Sequence, residues 1–159
     1  MAVSKPKELI VVGWMERVGL PKLGLPDIAA KIDTGARTSA LHADRIEPFE
    51  RDGQPWVRFR VRHARAKIGA TLEHPIHDTR DIKNTSGVPE TRYVIRTDLL
   101  IAGHTWRIDL SLTDRSNMRS ALIVGRTALN AHNVAVHTRR TRLKTDPTLA
   151  PQRRGKAVQ

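Results

Sequence analysis

The feature that most constrains this chain is a two-residue hydrophobic period carried in short segments. Val57, Phe59 and Val61 alternate with Arg58, Arg60 and Arg62, and Trp106, Ile108, Leu110 and Leu112 alternate with mostly polar residues. Successive side chains of an extended strand point to opposite faces, so this period gives one buried face and one solvated face. Further apolar segments run from Ile10 to Trp14, Ile28 to Ile32, Tyr93 to Ile101, Ala121 to Val124 and Val134 to Val136, and Thr38 to Ile46 reads as extended. Turn signals separate them at Pro21-Lys-Leu-Gly24, Pro26-Asp27, Arg51-Asp-Gly-Gln54 and Ala102-Gly-His104. From His63 to Glu90 the pattern weakens, and His74-Pro75, Asn84-Thr-Ser-Gly87 and Val88-Pro89 suggest loops or a mobile hairpin. Arg126 to Asn130 has room for one helical turn. Many short strands and one brief helix predict an all-β fold, a small barrel or sandwich, with no internal repeat.

Composition narrows the chemistry. The 159 residues suit one domain with a real core, but only three Trp, one Tyr and two Phe are present, so that core rests on Val, Ile, Leu and Ala. There is no cysteine, which excludes disulfides, thiolate zinc sites and a cysteine nucleophile. No apolar run is long enough to span a bilayer, and Met1 to Glu8 lacks the apolar stretch of a signal peptide, so a cytoplasmic protein is expected. The net charge of +12 favours anionic partners without choosing among them. Part of that charge is local: residues 139–159 are rich in Arg and Lys, carry Pro147 and Pro151, and read as a disordered basic tail after a domain spanning 1–138.

The segment richest in chemistry is Ala29-Ala-Lys-Ile-Asp33-Thr34-Gly35-Ala36. An apolar strand delivers a carboxylate to a tight turn. Gly35 lets backbone approach backbone, Thr34 can hydrogen-bond inward, and Ala36 leaves room for a substrate main chain. Alone, Asp-Thr-Gly occurs by chance in roughly 3% of chains of this length at average usage, and an Asx turn after a strand is then the better explanation. A second segment, Ala121-Leu-Ile-Val124-Gly125-Arg126-Thr-Ala-Leu129, adds two apolar residues, Gly-Arg and a helix start.

Together the two segments resemble the retropepsin pattern, and the resemblance covers most of residues 28–138. More closely, Val12-Gly-Trp14, Lys31-Ile-Asp-Thr-Gly-Ala-Arg-Thr-Ser-Ala-Leu-His42, Ile46-Glu-Pro-Phe49 and Leu112-Thr-Asp-Arg115 resemble a bacterial retropepsin-like family that carries the label "ATP-dependent zinc protease". The resemblance implies a closed acid-protease barrel working as a homodimer. Asp33, Thr34 and Gly35 would be catalytic, with Gly125 packing a strand beside that loop. Ala36, Arg37, Arg126 and a flap tip at Ser86 and Gly87 would meet the substrate. Asn133 to Thr138 would supply the last strand of the dimer interface. Members of that family are often found with ATP-grasp ligases that add glutamates to a ribosomal protein, which implies a functional link to such a ligase.

One Asp-Thr-Gly per chain means that a second chain must complete the site, with two Asp33 carboxylates sharing one proton across a two-fold axis. Activity favoured below neutral pH and lost on dilution is the expectation. Viral retropepsins place an acid soon after the catalytic glycine to pair with the later arginine, whereas Arg37, Thr38 and Ser39 stand here. Either Asp44 or Asp114 compensates, or Arg37 and Arg126 await an acidic peptide.

Neither zinc nor ATP is supported by motif. There is no His-Glu-x-x-His, and Pro75 within His74-Pro-Ile-His77 opposes a helix holding both histidines on one face. His42, His63, His104, His132 and His137 are scattered, and no phosphate-binding Gly-x-x-x-x-Gly-Lys loop exists. No metal and no cofactor are expected. The alternative class is a nucleic-acid or ribosome-binding module using Arg58, Arg60, Arg62 and the tail, or a peptide-binding module without turnover.

Overall fold

The computed structural model describes residues 8–61, 70–83, 86–114 and 120–144. Arg62, His63, Asn84, Thr85, Arg115 and the tail from residue 145 onward, all singled out above, lie outside the described residues. Twelve strands and one helix are present among the described residues. They are β1 (Ile10–Gly13), β2 (Met15–Leu20), β3 (Leu25–Ile32), β4 (Ser39–His42), β5 (Asp44–Arg51), β6 (Gln54–Val61), β7 (Ala70–Pro75), β8 (Asp78–Lys83), β9 (Pro89–Ile101), β10 (His104–Thr113), β11 (Leu122–Val124), α1 (Arg126–Ala131) and β12 (Val134–His137), with a 3-10 turn at Pro21–Leu23.

Strands β10, β4, β11, β3, β2 and β9 are hydrogen-bonded in that order, and β9 pairs back onto β10, which closes a six-stranded barrel. The fold is the mainly-β barrel with one short helix that the sequence predicts. Alternation explains which side faces in: Trp106, Ile108, Leu110 and Leu112 of β10 are buried, as are Ile95, Leu99 and Ile101 of β9. Outside the barrel, β5, β6 and β7 form a separate antiparallel sheet. Its inner residues Val57, Phe59 and Val61 belong to the same hydrophobic cluster as the barrel. Strand β8 extends the barrel sheet past its edge as a hairpin with the long β9. Strands β1 and β12 pair in parallel, and among the described residues no third strand joins them.

Three elements depart from the pattern reading. Strand β2 hides in Met-Glu-Arg-Val-Gly-Leu because Glu16 is fully buried. Strands β7 and β8 occupy the stretch where the alternation fades, since both lie at sheet margins with few buried side chains to mark them. The basic stretch also begins inside the fold. The Trp14 N–H donates to the carbonyl of Arg140 at 2.9 Å and the Arg142 N–H to that of Met15 at 2.7 Å. The buried Glu16 carboxylate accepts from the N–H groups of Gly13 at 2.6 Å and Lys144 at 3.2 Å. Residues 140–144 therefore strap the corner between β1 and β2. That strap leaves no space over Gly13, where an added Cβ would lie 2.6 Å from the Arg140 oxygen.

Candidate active site

Strand β3 ends at Ile32 and delivers Asp33 into a turn held from two sides. The Ile32 N–H donates to the Trp14 carbonyl at 2.8 Å, and the Asp33 N–H donates to the Val124 carbonyl of β11 at 2.9 Å. The turn closes when the Ala36 N–H donates to the Asp33 carbonyl at 3.2 Å. The Gly35 N–H then donates to Asp33 Oδ1 at 2.9 Å, which orients the carboxylate. Oδ2 lies 3.9 Å from Lys31 Nζ, and the Asp33 side chain keeps 27% of its surface exposed. Lys31 and Asp33 stand two residues apart and so share one face. That two-residue spacing is the one signal in the sequence that ties Lys31 to Asp33.

The start of α1 clamps the far end of the loop. The Arg126 N–H donates to the Ala36 carbonyl at 2.8 Å, and both the N–H and Oγ1 of Thr127 donate to the Arg37 carbonyl, at 3.1 and 2.8 Å. The Gly125 N–H donates to Ser39 Oγ at 3.1 Å. A Cβ on Gly125 would lie 2.6 Å from the Thr38 carbonyl carbon and 2.9 Å from the Ala36 oxygen. The close backbone crossing is thus at Gly125. At Gly35 an added Cβ would press only on Asp33 Oδ1, at 3.2 Å.

Two depressions flank the loop, and they separate Arg37 from Arg126. Thr34, Arg126, Trp14, Val134 and Val136 line a hollow of about 400 Å³ beside β1 and β12. There Arg126 Nη1 donates to the Thr34 carbonyl at 3.4 Å. Arg37 lines a separate groove of about 750 Å³, together with Arg80 and Ile82 of β8, Arg96 of β9 and Arg107 of β10. Ser86 and Gly87 sit at the turn of the β8–β9 hairpin, where Gly87 has φ +75° and the neighbouring Val88 is exposed. Asp44, one acid expected to offset Arg37 or Arg126, is instead bonded twice to Arg60 at 2.7 Å. Asp114 is exposed.

Other charges are accounted for by pairing. Arg58 and Arg51 both donate to Glu73, at 2.9 and 2.7 Å, and Arg51 also stacks on Trp56 at 4.3 Å. Those two hydrogen bonds, Arg51 first, pull the Glu73 carboxyl below its ordinary range. The bond from Arg80 does the same for Asp78, helped by the Thr79 N–H. The Asp44 hydrogen bond raises Arg60 further. The described part of the outer strand face that read as a basic stripe therefore carries little free charge. His77 faces Asp109 at 3.9 Å and His74 Nδ1 approaches the Pro75 carbonyl. Among the described residues no three His, Asp or Glu side chains converge as a metal site.

A family model described as "RimB-like: Retropepsin-like aspartic endopeptidase RimB" matches residues 11–147. The chain belongs to the RimB-like family. Relatives include proteins named probable alpha-L-glutamate ligase. That of Parasynechococcus marenigrum (strain WH8102) is 43% identical over 122 residues, which cover 76% of this chain and 26% of the relative. That of Shewanella halifaxensis (strain HAW-EB4) is 41% identical over 123 residues, covering 76% and 27%. The chain thus spans about a quarter of the length of the curated relatives it matches. A solved structure of Lpg0085 from Legionella pneumophila, a protein described as having unknown function, superposes with a TM-score of 0.72. It is 26% identical, and the match covers 86% of this chain and 98% of that one.

Proposed function

We propose that this RimB-like chain is an aspartic endopeptidase active as a homodimer in the cytoplasm, in which two Asp33 carboxylates activate one water. The observation that carries this reading is the setting of Asp33: a partly exposed carboxylate at a strand end, with one oxygen fixed by the Gly35 N–H. A single such carboxylate lacks the partner that would supply a proton to the scissile carbonyl. The chain contains one Asp-Thr-Gly, so the partner must come from a second copy.

The hollow beside Thr34 supports that placement. Thr34 is exposed, and the two-stranded ladder next to it presents Val11 and the neighbouring Leu9 and Trp14 to solvent. A second copy docking here would cover apolar surface, bring each Thr34 to the axis and set the Asp33 side chains face to face. One carboxylate then takes a proton from water as the water oxygen attacks the carbonyl carbon. The other, protonated, carboxyl gives its proton to the carbonyl oxygen. On collapse the protonated carboxyl gives its proton to the amine nitrogen, the C–N bond breaks, and the other carboxylate takes a proton from a hydroxyl of the gem-diol, so the pair again holds one proton. Ser86 and Gly87 would close over the substrate and exclude water, and Ala36 would leave room for its main chain.

Arg37 and Arg126 suit an acidic, glutamate-rich substrate, because guanidinium forks match carboxylates. The relatives named as ligases carry a segment similar to this chain within a much longer polypeptide. That supports a functional partnership with a glutamate-adding ligase, in which one activity adds residues and the other removes them. The test is Asp33→Asn with sedimentation analysis of the same preparation. The variant is expected to dimerise and to lose peptidase activity by at least about a hundredfold, in the range set by losing one proton-transfer group. Wild-type activity per chain should also fall on dilution. A dimeric Asp33→Asn protein with full activity overturns the mechanism.

A further inference from the structure

Glu16 is the one acidic side chain among the described residues that is fully buried, and the mechanism above does not use it. Burying a carboxylate is costly unless hydrogen bonds replace its lost hydration. Main-chain donors do so here: the N–H of Gly13 meets Oε2 at 2.6 Å, and the N–H of Lys144 meets Oε1 at 3.2 Å. Glu16 therefore fastens the end of the 140–144 strap to the corner between β1 and β2. The strap's other end is tied to β12, where the Arg139 N–H donates to His137 Nδ1 at 3.1 Å.

Two hydrogen bonds lead from that strap to the residue before Asp33. The Trp14 N–H donates to the Arg140 carbonyl at 2.9 Å, and the Trp14 carbonyl accepts the Ile32 N–H at 2.8 Å. A parallel route runs through the next residue. The Arg142 N–H donates to the Met15 carbonyl at 2.7 Å, and Met15 stands opposite Lys31 in the β2–β3 ladder. The corner is thus gripped between the strap and the end of β3. It has no slack on the strap side, since a Cβ on Gly13 would lie 2.6 Å from the Arg140 oxygen and 2.9 Å from the Thr141 Cα.

Resting on the peptidase reading above, we infer that Glu16 is a positioning residue: through the strap and the Trp14 main chain it fixes where β3 delivers Asp33. The Asp33 N–H is held separately by the Val124 carbonyl at 2.9 Å. Releasing the strap removes one of these two main-chain restraints, so the carboxylate drifts while the turn survives. A misplacement near 1 Å costs about a hundredfold in rate. A smaller drift should cost about tenfold, and it falls on kcat. Neither the corner nor the strap contributes to the described lining of the Arg37 groove, so KM should hold.

The test is Lys144→Pro, which deletes one N–H donor at the surface and alters no interior side chain. Lys144→Ala is the control: it keeps the donor and removes the cation. Glu16→Gln approaches the same bond from inside, keeping the shape but setting an amide NH2 against the main-chain donors. Peptide cleavage is measured per folded dimer, with the dimer checked by sedimentation, and amide hydrogen exchange is followed on the same proteins. Lys144→Pro and Glu16→Gln are expected to lose about tenfold in kcat with KM unchanged, the pattern of a group that acts on the chemical step. The Ile32 N–H should exchange about tenfold faster, while amides of β9 and β10 keep their wild-type rates. Lys144→Ala should match the wild type throughout. Unchanged kcat and unchanged Ile32 exchange overturn the positioning role and leave the peptidase reading intact. Exchange that quickens at Ile32, β9 and β10 alike overturns it too, since that is loss of stability alone. An equal kcat loss in Lys144→Ala overturns it by assigning the effect to charge. Faster exchange confined to the Ile32 region, in a protein whose wild type cleaves no peptide, keeps the link from Glu16 to the Asp33 strand and sinks the peptidase reading instead.

Discussion

Gly125→Ala tests how tightly the loop that carries Asp33 is locked. The substitution adds one methyl group. Its Cβ would stand 2.6 Å from the Thr38 carbonyl carbon, 2.7 Å from the Thr38 oxygen and 2.9 Å from the Ala36 oxygen. All three are main-chain atoms, so no side chain can swing aside. Comfortable carbon contacts begin near 3.5 Å, so the loop and the β11–α1 corner must separate by roughly 0.8 Å. The Arg126 N–H to Ala36 and Thr127 N–H to Arg37 bonds, 2.8 and 3.1 Å in the native chain, would then stretch to or beyond the hydrogen-bond limit. Overpacking of this kind costs about 1–3 kcal/mol, and each weakened hydrogen bond adds up to about 1 kcal/mol. A destabilisation of about 2–4 kcal/mol follows. Because the displaced loop carries Asp33, activity should fall by about a hundredfold, the cost of a misplacement near 1 Å.

Urea denaturation followed by Trp fluorescence, with peptide cleavage measured on the folded fraction, gives both numbers. Gly53→Ala is the control: Gly53 has φ +75° and nothing within 4 Å of an added Cβ. It should cost about 1–2 kcal/mol of backbone strain and leave cleavage unchanged. A Gly125→Ala protein within about 0.5 kcal/mol of the native stability, with unchanged kcat/KM, would refute the reasoning.

Glu16→Ala leaves the Gly13 N–H inside the fold without its carboxylate partner, and should destabilise by about 2–4 kcal/mol. Hydrogen exchange should show lost protection at Gly13, Arg142 and Lys144; unchanged protection would mean that Glu16 does not hold the strap. For pH, the folded Glu73 carboxyl lies below its ordinary value of 4.5 because Arg51 and Arg58 bond to it. A depressed folded value contributes stability that is present above the unfolded value and is lost as pH falls through the folded one. Acid unfolding below about pH 4.5 should therefore be shallower in Arg51→Ala/Arg58→Ala than in the native chain, and identical acid limbs would contradict the assignment. The Asp33→Asn and dilution experiments bear on mechanism in the same preparations.

Much of the fold was legible because alternation reports burial directly. Residues 57–61 and 106–112 sit in strands with the faces that their spacing predicts. What alternation cannot report is a strand whose inward side chain is charged. Glu16 marked β2 as polar, yet its carboxylate is buried against the N–H groups of Gly13 and Lys144. One of these partners, Lys144, lies 128 residues away, and the other is a main-chain N–H, so no side-chain pattern announces either. The same limit hid the role of residues 140–144, which look like tail by composition and serve as a strap by contact.

The site divides along the same physical line. The loop from Lys31 to Ser39 is local, and its turn chemistry was readable from the order of residues. The electrostatics are not local. Arg58 and Arg60 looked like an open basic stripe, but antiparallel register sets Glu73 opposite Arg58 and Asp44 opposite Arg60, and both arginines are spent in pairs. Arg80, Arg96 and Arg107 drew no notice along the chain, yet β8, β9 and β10 bring them to one groove beside Arg37. Charge that seems available in one dimension is cancelled by a neighbouring strand, and charge that seems scattered is concentrated by another. The excess of +12 says that an anion is favoured. Strand register places a cluster of those cations beside the loop that carries Asp33.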